Sequence, residues 1–462
     1  MTVNLNKKER NKILILFLIG IFMGCLDMGI VGPVLSPIQS TFHVTSRESS
    51  WIYTVYIIAF MIGSPIMAKF SDFYGQRKLY LIDIALFGLG SAIISIAPSM
   101  EIIFIGRIIQ GFGAGGIFPV AGSFIGDYFP IESRGTALGI IGATFGLSTV
   151  AGPLVGAAII PFGWNWCFAI NIPIAIILLI LCYFLLPQFE QSNHLDIDWS
   201  GIVLLIICST LFAYGLNQID SANFINSLFS VKVLPYLILF IILLPIFIKV
   251  EKRASESIVP IYLFKNSEIS TASILVICEG IINAATIFVP SLAMISLGYN
   301  NELASLMLIP LVGANAIAAP ILGKFLFKLG YKIMMVIGTF ILSIGLVMLG
   351  LLSTNFYLFL IADILIGLGM VTLIGAPMRF LIMCETGHGE RGVGQAIINM
   401  MASVGQLIGG ALIGGIIASY NNTIFGYTAA LITSAVFGVI AFIFTMRLKE
   451  RDDEIATMKA NS

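Results

Sequence analysis

The chain has 462 residues, 58% of them hydrophobic and only 10% charged, with a formal net charge of zero and a mean hydropathy of +1.02. A soluble domain carries roughly a quarter charged residues, so this composition excludes an ordinary water-soluble fold, and the zero charge balance names no partner by itself. Runs of about 20 apolar residues recur along the whole length, each long enough to cross a hydrocarbon core as a helix.

The polar start, MTVNLNKKERNK, is followed by a run too long for a signal-peptide core, so Ile13 opens a first span rather than a cleaved leader. Fourteen spans are expected, at 13–37, 50–69, 79–98, 102–125, 136–160, 164–186, 199–217, 233–249, 269–296, 302–323, 331–352, 355–380, 392–418 and 424–446. An even count puts both termini on one side. With that side cytoplasmic, all but three of the 24 Lys and Arg fall in cytoplasmic segments. Arg47 and Lys232 lie outside and Arg107 lies within a span, a bias that follows the positive-inside rule.

Charges inside spans are expensive, about 2.5–3.5 kcal/mol each near the bilayer centre, and are therefore functional candidates. In chain order they are Asp27 in the first span, Arg107 in the fourth, Glu279 in the ninth and Asp363 in the twelfth. Asp83, near the cytoplasmic end of the third span, reads as structural. The six cysteines (Cys25, Cys167, Cys182, Cys208, Cys278 and Cys384) lie in or beside apolar runs without CxxC spacing and read as free, buried thiols. His43, His194 and His388 are isolated in loops, so no metal site is expected. No phosphate-binding glycine loop occurs, which excludes a nucleotide-driven pump.

The two ends of the chain repeat each other at an offset of 255–257 residues. Arg107-Ile-Ile-Gln110-Gly111-Phe-Gly113 aligns with Asp363-Ile-Leu-Ile-Gly367-Leu-Gly369. Ser133-Arg134-Gly135 aligns with Glu390-Arg391-Gly392, and Tyr74-Gly75 with Leu329-Gly330. Half-repeats of this kind mark secondary transporters, with the substrate site between the halves. The expected organisation is a six-helix bundle at 1–190, two additional spans at 191–250, and a second six-helix bundle with the C-terminal tail at 251–462. The extra pair holds no buried charge and suits a lipid-facing or assembly role.

Four stretches resemble the major facilitator superfamily, and its fourteen-span drug:proton antiporter branch in particular. Ala68-Lys-Phe-Ser-Asp72-Phe-Tyr-Gly75-Gln76-Arg77-Lys78 resembles the G-x-L-a-D-r-x-G-r-k signature, with Ala68 for its first glycine and Gln76 at a basic position. The Arg107 stretch is similar to the R-x-x-Q-G-x-G motif. Leu26-Asp27-Met-Gly-Ile-Val-Gly-Pro33 resembles the L-D-x-x-I-V stretch. Gly142-x-x-x-Gly146 with Ala151-Gly152-Pro153-Leu-Val-Gly156-Ala157 resembles the antiporter signature of span five, with Ala157 for its last glycine. The resemblance implies an all-α membrane protein with the major facilitator fold, two pseudo-symmetric six-helix bundles plus two helices, that is not an enzyme.

It further implies a proton-coupled antiporter of the plasma membrane, both termini cytoplasmic, exporting lipophilic or cationic compounds. The proton is the coupling ion and no cofactor is needed. A small molecule and the bilayer are the expected partners, with no nucleic acid or nucleotide, and the chain is expected to be a monomer. Coupling and recognition fall to Asp27, Arg107, Gln110, Glu279 and Asp363. At 1.5 Å per residue, Arg107 lies roughly 8 Å and Asp27 about 15 Å from the outer ends of their spans. The two are close enough to interact, and are expected to face a water-filled cavity. Asp72, Gly75, Arg77, Lys78 and Arg134 are expected to form a cytoplasmic latch in which Asp72 holds Arg134 and a neighbouring helix end. Gly146, Gly152, Pro153 and Gly156 are expected to form the helix that seals the exchange path. A carrier for one metabolite, such as a sugar or organic acid, is the alternative within transport. A non-transporting membrane sensor or scaffold is the alternative outside it, disfavoured by the short loops.

Overall fold

The computed structural model describes residues 6–187, 197–219, 223–387, 389–421 and 423–460. His194, His388, most of the acidic segment Glu190–Trp199 and the 190/191 domain boundary lie outside them. Fourteen helices are long and apolar enough to cross a membrane: α1 (Lys7–Phe42), α2 (Glu48–Tyr74), α3 (Gln76–Ser95), α4 (Met100–Tyr128), α5 (Glu132–Phe162), α6 (Trp166–Leu185), α7 (Trp199–Asn217), α8 (Leu234–Glu251), α9 (Ser267–Thr286), α10 (Leu303–Leu329), α11 (Tyr331–Leu352), α12 (Phe356–Glu385), α13 (Arg391–Ser419) and α14 (Ile424–Thr445). A short polar helix, α15 (Arg451–Ala460), ends the described chain.

Local chemistry sets where these helices begin. Asn6 with Glu9 and Thr45 with Glu48 form reciprocal capping boxes at the starts of α1 and α2. Asp198 caps α7, Asn266 caps α9 and Asn355 caps α12 through their side-chain oxygens. The ninth span was expected as one helix over 269–296. Instead α9 stops at Thr286 and a separate helix, Val289–Leu297, follows. Pro290 lacks the N–H that would continue the ladder. Span α12 also breaks, at Gly375, and resumes at Ala376 with Pro377 in its first turn.

The same helix pairs pack in both halves. In the first, α1 packs on α5 and α6, α4 on α2 and α3, and α3 on α6. In the second, α9 packs on α13 and α14, α12 on α10 and α11, and α11 on α14. The repeat reaches single contacts. A methyl on Gly116 of α4 would collide with the Asp83 carboxylate of α3, and a methyl on Gly338 of α11 would collide with Thr372 of α12. The contact is the same with the glycine and the polar side chain exchanged between helices.

Two seams join the halves, α5 against α10 and α2 against α13, related by the pseudo-two-fold axis. Along the first, a Cβ at Gly135 would lie 2.7 Å from the Gly323 carbonyl oxygen, one at Gly139 2.8 Å from the Ala319 oxygen and one at Gly146 3.1 Å from Ala316 Cα. Small residues thus bring the two backbones together. Farther along α5, a Cβ at Gly152 would lie 2.6 Å from Gly29 Cα of α1, inside the first half. Gly405 and Gly409 of α13 turn likewise to α9. The glycine contacts across the α5–α10 seam therefore run from the end carrying both termini to the middle, and the halves are clamped at that end.

The extra pair breaks this symmetry. Helix α7 packs on α8, α2 and α13, and Asn217 Nδ2 donates to Thr54 Oγ1 of α2 at 2.7 Å. It shares an apolar cluster with Met61, Ile66 and Met400, covering the α2–α13 seam, while most of α8 faces outward.

Gly323→Val places its Cβ 2.4 Å from the Gly135 oxygen and is expected to prise the α5–α10 seam open. In a chain stripped of native cysteines and carrying Ala319→Cys, alkylation should then accelerate several-fold. Unchanged labelling would show that this seam does not close the protein.

Candidate functional site

The residues that bring α1, α2, α3, α4 and α6 to one point are the polar ones in the first half. Gly111 of α4 lies so close to α2 that a Cβ there would be 2.6 Å from the Tyr56 carbonyl oxygen. Gly90 of α3 would place its Cβ 2.6 Å from Gln110 N of α4. These approaches let Arg107 and Gln110 reach across three neighbours. Arg107 donates from one terminal nitrogen to Asp27 Oδ2 at 2.6 Å and to Gln110 Oε1 at 2.7 Å. Its Nε donates to the Ile52 carbonyl at 3.1 Å. Gln110 Nε2 donates to Asp27 Oδ1 at 2.8 Å and to Ser91 Oγ at 2.8 Å, and Asn171 Nδ2 of α6 donates to Asp27 Oδ1 at 3.0 Å. The guanidinium also lies over the Tyr56 ring at 4.1 Å and near Phe168 at 5.8 Å.

Both carboxylate oxygens of Asp27 are thus occupied by charge-assisted or amide donors, the strongest class of hydrogen bond available to it. The expectation that Arg107 and Asp27 face a water-filled cavity is corrected: each is 0% exposed, as are Gln110 and Asn171. The aromatic rings cover the guanidinium and the two amides cap the carboxylate. The pair is therefore a sealed one in this conformation. Asn171 and Ser91 complete it, and sequence alone gave no reason to aim either into this network.

Glu279 and Asp363 do not join this network. Glu279 Oε1 accepts from Asn283 Nδ2, one turn on in the same helix, at 3.3 Å, and its Oε2 has no partner. Neither oxygen of Asp363 has one, and both residues are 0% exposed. Asp83 is likewise fully buried with both oxygens unpartnered, pressed on the glycines of α4.

At the terminus-bearing end, Gly75 makes a tight turn between α2 and α3 with φ of 88°. Asp72 lies against the start of α13, where a Cβ at Gly392 would be 3.3 Å from its Oδ1. The expected bond from Arg134 to Asp72 is not present among the described residues: Arg134 Nε donates instead to the Phe129 carbonyl at 3.1 Å. An ion pair of Asp127 of α4 with Arg391 of α13, at 2.9 Å, bridges the halves, and Arg391 also donates to the Gly126 carbonyl at 2.7 Å. Gln76, which stands at a usually basic position, donates to Asp127 Oδ2 and to Ser123 Oγ, both at 3.0 Å. Arg77 turns away from the seam to the Tyr183 ring and carbonyl, and Lys78 lies over Tyr74. Arg391 was in view only as the repeat mate of Arg134. Its role follows from α13 beginning beside the end of α4.

A second correction concerns Arg379, counted among the cytoplasmic basic residues. It is 6% exposed, within α12 beyond the Gly375 break. All six cysteines are buried thiols outside any disulfide, and no metal-binding cluster occurs among the described residues.

Known proteins share this fold. The model of the Major Facilitator Superfamily matches residues 17–312 and 271–459. The chain belongs to that superfamily. Its fourteen spans fit the fourteen-span drug:proton antiporter branch, and as a transporter it is not an enzyme. An uncharacterized MFS-type transporter, YfiU of Bacillus subtilis, is 31% identical over 89% of this chain and 81% of its own. Multidrug resistance protein 3 of the same species is 32% identical over 74% of this chain and 67% of its own. The riboflavin transporter RibZ of Clostridioides difficile is 25% identical over 96% of this chain and 99% of its own. Among solved structures, the human organic anion transporter MFSD10 superposes with a TM-score of 0.68 at 12% identity, covering 94% of this chain and 99% of its own. The proton:xylose symporter XylE does so at 0.65 and 15% identity, covering 96% of each. At such identities these two establish the fold alone.

Removing one member of a buried ion pair strands the other charge, at a cost of about 3–5 kcal/mol. Asp27→Asn is therefore expected to lower the unfolding temperature in detergent more than Asp27→Asn with Arg107→Gln, which removes both charges. An equal loss in the two would mean that the pair is not electrostatically coupled. For the seam, a double-mutant cycle on Asp127→Asn and Arg391→Gln should give a coupling of about 1 kcal/mol or more, read by thermal unfolding; additivity would remove the bridge.

Proposed function

We propose that the chain is a proton-coupled antiporter of the plasma membrane that exports lipophilic or cationic drug-like compounds, working as a monomer with both termini in the cytoplasm. The observation that carries this reading is the sealed Asp27–Arg107–Gln110 network. A carboxylate in the membrane interior is balanced by one guanidinium, so adding a proton to it removes the charge that Arg107 needs. The protonated and ionised forms then favour different packings of α1 and α4, and this links proton occupancy to helix position. The direction of transport is supported by the multidrug resistance relatives and by the glycine–proline face of α5, where Gly152 seats on α1 and Gly146 on α10. Glu279 and Asp363, buried and incompletely bonded, are further proton or cation sites in the second half. The positive-inside bias supports the orientation.

A second reading, a dedicated carrier for one metabolite, is favoured by the end-to-end match to a protein named as a riboflavin transporter. The two are separated in liposomes holding the pure protein, a pH dye and an imposed proton gradient. Lipophilic cations should discharge the gradient, and Asp27→Asn should abolish that exchange. Discharge by a single metabolite only would establish the dedicated carrier, and exchange undiminished in the variant would take Asp27 out of the coupling mechanism.

A further inference from the structure

We infer that Arg379 is the anchor of a carboxylate-binding subsite between the halves, taking aromatic acids loaded from the terminus-bearing side. The inference rests on the reading that substrates pass between the two bundles.

Arg379 is a buried cation without a counter-charge. Its two terminal nitrogens donate to Gln395 Oε1 at 3.2 Å and Asn399 Oδ1 at 3.4 Å, both neutral amides of α13, and no carboxylate pairs with it among the described residues. Arg107, the other arginine inside a span, has its carboxylate at 2.6 Å. A guanidinium offers five donors in a planar fork matched to a carboxylate, and here only long bonds to neutral oxygens occupy it. Buried charges are ordinarily paired, and a carboxylate is the group that this fork is shaped to pair with.

Its position gives that anion a way in. Arg379 belongs to the second half, yet its guanidinium lies 5.4 Å from the centre of the Phe118 ring in α4 of the first. Asn399, which it touches, reaches Ser64 of α2 at 3.4 Å. The cluster therefore straddles the seam at the clamped end. When the halves part there, Phe118 and Ser64 move off with the first half, and Arg379, Gln395 and Asn399 stay together on the second. The guanidinium then faces the opened path with its aromatic cover gone.

The first half supplies the aromatic surface. Phe118 packs edge-on to Phe60 and Phe145, at 6.5 and 6.3 Å, and Phe60 stacks with Tyr56 at 6.4 Å. Tyr56 is the ring beneath Arg107. A row of rings thus leads from the Asp27 network to Arg379. A flat aromatic body with an acidic group at one end satisfies both the rings and the cation.

The test is a binding measurement on the full-length protein in detergent with no proton gradient. The probes are a pyrene carboxylic acid and its methyl ester, read by fluorescence anisotropy. Wild type should bind the acid about tenfold tighter than the ester, as expected for a charged hydrogen bond. Arg379→Gln should bring the ratio near one without changing ester affinity, and Arg379→Lys should keep part of the preference. Equal binding of acid and ester by wild type would overturn the inference whatever the variants do, and so would a preference that survives in Arg379→Gln. Because no gradient is used, failure of proton exchange with cations and failure of this subsite are separate results.

Discussion

An ion pair in the membrane interior, Asp27 with Arg107, is the contact on which the first half depends. A lone arginine in a span must be compensated from within the protein, and here α1, α2, α3, α4 and α6 each contribute something: a carboxylate, a backbone carbonyl, a hydroxyl, an amide or an aromatic face. The glycines around it serve the same end. Gly90 and Gly111 remove the side chains that would hold the helices too far apart for these bonds. Motif residues that read as separate signals in the sequence are thus parts of one polar knot.

The two halves share a scaffold and differ in chemistry. Their main helix pairs correspond, down to the Asp83–Gly116 and Thr372–Gly338 contacts. The position of Arg107 carries Asp363 in the repeat, and no partner answers it among the described residues. The first half therefore holds a balanced pair beside the unpartnered Asp83, while the second holds Glu279, Asp363 and Arg379, buried ionisable groups with no ion-pair partner among the described residues. The difference bears on binding, because a site whose charge is already balanced has less reason to attract a charged ligand than one that is not.

Closure is divided between the seams. The α5–α10 seam closes by backbone approach through Gly135, Gly139 and Gly323. The α2–α13 seam closes beside the Asp127–Arg391 pair and is covered by α7. Glycine contacts are short and have no side-chain reach, so they separate over a small motion. The covered seam keeps apolar packing with α7 on both halves. The additional spans therefore do more than face lipid: α8 does so, and α7 braces the junction.

Sequence alone determined the membrane class, the fourteen spans, the half-repeat and the positions of Asp27, Arg107, Glu279 and Asp363 inside spans, because hydropathy, length and the cost of a buried charge are properties of a segment read by itself. It also supplied the pairing of Asp27 with Arg107, through depth and family resemblance. It could not decide which polar residues meet. Asn171 joins Asp27, Arg391 rather than Arg134 takes the carboxylate across the seam, and Arg379 is carried inside by a helix that breaks at Gly375 and continues. Those outcomes depend on the rotation of each helix about its axis and on where neighbouring backbones touch, and tertiary packing alone fixes both.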